Sequence, residues 1–149
     1  MHYIIHSWRN LQECPAICFP FAPGWCNVDF MNTNFLNIEG AYAASDSAAY
    51  TIIPVPYDAT SSWNKGADKG PAALIRASEQ VEYYDIETNS LPYVRGIHTT
   101  SPALDFSTPQ AMAESVERET AMAFARGSLP IVLGGEHSVS IGAIRAAST

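Results

Sequence analysis

Tyr50 to Val55 reads YTIIPV, an apolar and β-branched run without alternation. Such a run predicts a strand buried on both faces, ending at Pro54 or Val55. Pro56 has no N–H to give a ladder and falls past that end. Tyr57 to Asp68 is polar and reads as a loop. In GPAALIRAS, Gly70 suits an N-cap and Pro71 the first helical position, with Leu74 and Ile75 on the buried side. Val81 to Ile86 reads as a second strand, punctuated by Asn89, Ser90 and Pro92. Val94 to Leu104 stays open between an edge strand and a loop. Thr108 then caps a helix that begins at Pro109. Met112, Val116, Thr120 and Ala123 share one face of it, Arg126 favours its C-terminal end, and Gly127 closes it. PIVLGG is the next apolar strand, and Ser138 to Ala147 the next helix.

Strands alternating with helices predict an α/β fold with a parallel sheet and right-handed crossovers. The chain stops one helix after its most apolar strand, so the sheet reads as incomplete.

Composition narrows the partners. The 149 residues carry 8 basic and 15 acidic side chains, a formal net charge of −7. That balance excludes a duplex nucleic-acid binder, whose footprint is basic. It leaves room for a metal or a cationic small substrate, which a negative field attracts. No apolar stretch approaches the roughly 20 residues of a membrane helix. Three cysteines cannot pair completely within one chain, which points to a reducing cytoplasm. All three, Cys14, Cys18 and Cys26, lie before residue 30, with Trp8, Trp25, His2 and His6. Their spacing does not make a zinc knuckle. Residues 1–30 show no sustained period, whereas orderly patterning begins at Met31. The segment is either an extension ahead of the native start or an irregular N-terminal arm.

Candidate chemistry gathers at GGEHS, Gly134 to Ser138. In a parallel sheet, ligands collect beyond the carboxyl ends of the strands, where this corner falls. Gly134 and Gly135 permit either a left-handed backbone or a close approach. Ser138 is placed to cap the following helix, with Glu136 and His137 just before it. The corner is a metal or catalytic site, or a plain strand-to-helix turn. A single imidazole cannot hold a metal tightly, and no Asp-x-His-x-Asp cluster precedes it. His98 stands alone in RGIHTTSP and reads as structural or as a surface residue. No dinucleotide, phosphate-loop or nucleophile-elbow pattern is present.

Three blocks resemble the ureohydrolases, the arginase–agmatinase family, and most closely its agmatinase-like branch. They are PVPYDATSSWNKGADKGPAALIRAS (Pro54 to Ser78), YYDIET (Tyr83 to Thr88) and PIVLGGEHSVSIGAIRA (Pro130 to Ala146). The resemblance covers roughly residues 31–149 and not the first thirty. It implies a three-layer α/β/α domain around a mostly parallel sheet, often assembled into homo-oligomers. It implies that His137 is a ligand of a binuclear Mn²⁺ site. Glu136 stands where the family often has Asp, and with Ser138, Gly134 and Gly135 it supports the ligand. Asp58, Gly66, Gly70, Pro71 and Arg76 match an early family pattern with loop and helix-start roles.

The remaining ligands belong to an Asp-Ala-His-x-Asp block and a Ser-x-Asp-x-Asp block, neither of which this chain contains. The implied reaction is hydrolysis of a guanidino C–N bond by metal-activated water, agmatine yielding putrescine and urea. This chain is expected to be inactive alone. Arginine, guanidinobutyrate and formiminoglutamate are alternative substrates within the resemblance. Two other classes stay open: a small non-catalytic α/β protein, and an interaction subunit that completes a partner's sheet.

Overall fold

The computed structural model describes residues 34–148. The expectations for residues 1–30, including the cysteines, lie outside the described residues. The main elements are β1 (Tyr50–Val55), α1 (Gly70–Ser78), β2 (Ile97–Thr99), α2 (Pro109–Ala125), β3 (Leu129–Gly134) and α3 (Ser140–Ala147). The strands form one parallel sheet in the order β2-β1-β3. With its helices the sheet makes a three-layer α/β/α arrangement.

β1 is the central strand, and Thr51 to Val55 are all buried. Side chains alternate across a sheet. Ile53 and Val55 therefore share one face, where they pack with Met112 and Val116 of α2 and with Val139. Pro54 lies inside this strand, opposite Leu133. Tyr50 N donates to Gly96 O, and Gly135 N donates to Val55 O. Donors of even-numbered residues therefore face β2. β2 ends opposite Ile52, so the N–H that Pro54 lacks points where no strand pairs.

α2 follows its periodicity. The Thr108 hydroxyl accepts from Ala111 N at 3.0 Å, Pro109 opens the helix, and Met112, Val116, Thr120 and Ala123 are buried. α3 lies across it at Gly142. A Cβ there would stand 2.3 Å from Ala113 O and 2.7 Å from Glu117 N, so the absent side chain sets the helix–helix distance.

Three element expectations need correction. Val81 to Ile86 is not a strand. Asp85 accepts from Glu87 N and from the Thr88 hydroxyl, Asn89 takes φ +50°, and Asp85 pairs with Ser90 in an isolated antiparallel bridge. Turn chemistry outweighs the β-prone side chains, which stay exposed, Ile86 at 82%. The second strand instead falls at Ile97–Thr99, the edge-strand alternative for the next segment. Gly70 also does not cap: it has helical dihedrals, and Lys69 occupies the cap position. β3 is apolar as expected but not buried on both faces. Leu129 is 55% and Ile131 38% exposed, because β3 pairs only with β1 among the described residues. No described helix is long and apolar enough to cross a membrane.

Candidate metal-ligand corner

β3 ends at Gly134. The chain passes through an extended Glu136 and one 3-10 turn, His137–Val139, into α3. Neither Gly134 nor Gly135 has positive φ. Close approach is what they supply. A Cβ on Gly135 would stand 2.4 Å from Tyr57 O and 2.9 Å from Ala67 O, and one on Gly134 2.2 Å from a Val139 methyl. Backbone from the β1 exit loop thus lies directly against the corner. Gly135 N also donates to Val55 O at 3.2 Å.

Glu136 is held from two sides. Thr60 Oγ1 donates to its Oε1, and Ser138 Oγ donates to the same atom at 2.8 Å. Desolvation pushes this carboxyl upward. The hydroxyl bonds, first Thr60 and then Ser138, with the Thr60 N–H and the charge of neighbouring His137 adding to them, outweigh it and leave the group below its ordinary 4.5. Ser138 therefore does not cap a helix as expected. It lies inside the turn and spends its proton on Glu136, while Ser140 Oγ donates to His137 O at 2.7 Å. The His137 side chain is exposed, and its imidazole makes no hydrogen bond among the described residues.

The β1 exit loop has its own fastening. Asp58 Oδ2 accepts from Gly66 N at 2.7 Å, and Lys65 Nζ donates to Asp58 O. The Gly66 bond leads the effects that hold the Asp58 carboxyl below its ordinary 3.8. Gly66 needs its glycine backbone, at φ +119°. A Cβ on Gly70 would meet Gly134 O at 3.8 Å, so the start of α1 sits beside the end of β3. Pro71 is buried at that helix start, while Arg76 is exposed in the last turn of α1. Folding thus joins the Asp58–Gly70 loop to the corner at residues 134–138, and Arg76 has no part in the join. Thr60 is the contact that sequence reasoning missed. A threonine in a polar loop carries no periodicity or spacing that marks it.

His98 lies on β2, half-buried, with Nδ1 3.0 Å from Ala43 O, a structural contact. Among the described residues, no three His, Cys, Asp or Glu side chains form a metal-binding group. At the corner the His137 imidazole is exposed, and the Glu136 Oε1 atom is bonded by two hydroxyls.

The sequence profile of the arginase family matches residues 48–149. This chain belongs to the arginase family. It is 36% identical over 118 residues to the N(1)-aminopropylagmatine ureohydrolase of Synechocystis, covering 75% of this chain and 38% of that protein. It is 30% identical over 95 residues to the agmatinase of Pyrococcus horikoshii, covering 62% of this chain and 34% of that one. The solved agmatine ureohydrolase of Thermoplasma volcanium superposes with a TM-score of 0.67 at 26% identity, over 77% of this chain and 38% of that chain. A structure from Clostridium difficile, at 18% identity and TM-score 0.60, shares the fold. The arginase-family chain thus spans under half the length of these relatives.

Proposed function

We propose that this chain contributes one manganese ligand, His137, to a binuclear centre that hydrolyses a guanidino C–N bond. The observation that carries the reading is the free, exposed imidazole at the carboxyl end of β3, beside a carboxylate tied off by Thr60 and Ser138. The metals, when bound, supply a water acidic enough to attack a guanidinium carbon at neutral pH. This chain's own part is to present His137 and hold the β1 exit loop against it. The acidic balance of the chain suits a cationic substrate.

Agmatine is the proposed substrate. Its N(1)-aminopropyl derivative, named in the Synechocystis and Thermus thermophilus relatives, presents the same guanidino group and belongs to the same proposal. Further ligands come from Asp-Ala-His-x-Asp and Ser-x-Asp-x-Asp blocks outside these 149 residues. The test is manganese content and urea release. The purified chain is expected to release no urea from agmatine. Tight stoichiometric manganese with turnover in the pure chain would overturn the reading.

The edge of β3, unpaired among the described residues, favours a second reading, an interaction subunit that completes a partner's sheet. A chain that melts cooperatively as a monomer counts against it.

A further inference from the structure

We propose that Thr60 is a positioning residue for His137, acting through Glu136. The inference rests on the proposed role of His137 and goes beyond it by naming what aims the ligand.

His137 follows Glu136 directly, so the direction of its side chain depends on how the Glu136 backbone is held. Two hydroxyls hold Glu136, and they differ in what they connect. Ser138 is two residues away within the same turn, so its bond moves with the turn. Thr60 is 76 residues away, on the loop that leaves β1, so its bond ties the turn to a different strand. The loop is an anchor because Asp58, Lys65 and Gly66 lock it internally. The two hydroxyl oxygens lie 3.5 Å apart, both spending their protons on Glu136 Oε1. Below the carboxylate, Gly135 packs against Tyr57 O and Ala67 O and leaves no room for a side chain to do this work. Thr60 is therefore the side-chain hydroxyl that fastens the corner to the β1 exit loop. Groups that hydrogen-bond a metal ligand from outside the coordination sphere change metal affinity by about tenfold to a hundredfold, and Thr60, bonded to the residue before the ligand, is expected at or below the lower end.

The test uses the full chain, its four histidines, and MnCl₂ as the probe. Paramagnetic broadening of each imidazole Cε1–H signal reports metal at that ring, with His137→Ala assigning the His137 signal and His98 as the internal control. Amide exchange at Gly135 and Val139 reports the corner without metal. Thr60→Val should speed that exchange and weaken the manganese dependence of the His137 signal by about threefold to tenfold. Thr60→Ser should restore both, since it keeps the hydroxyl, and His98 should not respond. If Thr60→Val does not fold, Thr60→Ala replaces it at this exposed position. Wild-type exchange and wild-type broadening in the hydroxyl-less variant would overturn the proposal, as would failure of Thr60→Ser to rescue. Exchange that responds to Thr60 while manganese never broadens His137 in the wild-type chain would support the fastening and sink the ligand role alone.

Discussion

Gly135 and Tyr57 meet backbone to backbone: a Cβ added to Gly135 would stand 2.4 Å from the Tyr57 carbonyl oxygen. This contact sets the β3 corner against the loop leaving β1. Neither partner is flexible side chain, so nothing can swing aside to relieve a substitution.

Gly135→Ala is therefore expected to destabilise the chain by about 1–3 kcal/mol, the usual cost of overpacking. Urea unfolding of the two proteins checks this. An unchanged midpoint would show that the two segments separate freely.

Gly142→Ala sets two effects against each other. Alanine favours a helix over glycine by about 1 kcal/mol. The new Cβ would also fall 2.3 Å from Ala113 O, and pushing α3 off α2 costs about 1–3 kcal/mol. The steric effect is expected to win, lowering the thermal midpoint.

Asp58→Asn should show a pH-dependent cost. The Asp58 carboxyl lies below its ordinary 3.8 in the folded chain, chiefly through the Gly66 N–H and with help from Lys65. A depressed carboxylate contributes stability that is fully present above the unfolded value and lost as pH falls through the folded one. The wild-type advantage over Asp58→Asn is thus expected in full at neutral pH and should be lost as pH falls from the ordinary 3.8 through the lower folded value. Urea midpoints across that range test it. An advantage that grew on acidification would contradict the assignment.

Ile131→Lys addresses the exposed edge strand. Ile131 is 38% exposed on a strand with one partner among the described residues, and lysine on such an edge opposes pairing with another chain. Light scattering should show less self-association in the variant. Equal association would place the sticky surface elsewhere, for example on α3, where Ile144 is 65% exposed.

Much of this molecule was legible along the chain because the interactions concerned are local. Thr108, Pro109 and the spacing from Met112 to Ala123 specify α2 through its own cap and period. Unbroken apolar runs marked β1 and β3, and GGEHS with the Pro54–Ser78 block pointed to the family. Where local signals competed, reading along the chain failed. Val81 to Ile86 has strand-forming side chains, yet the Asp85 turn took the backbone, and the strand formed where Ile97 to Thr99 could pair with β1.

Tertiary structure alone decided two matters. It chose close approach over left-handed backbone for Gly135, because only the folded chain brings Tyr57 and Ala67 beside it. It brought Thr60 across 76 residues to the Glu136 carboxylate. The physical reason is common to both. Caps and periods depend on neighbours a few residues away, whereas these contacts exist only once two parallel strands set their loops side by side.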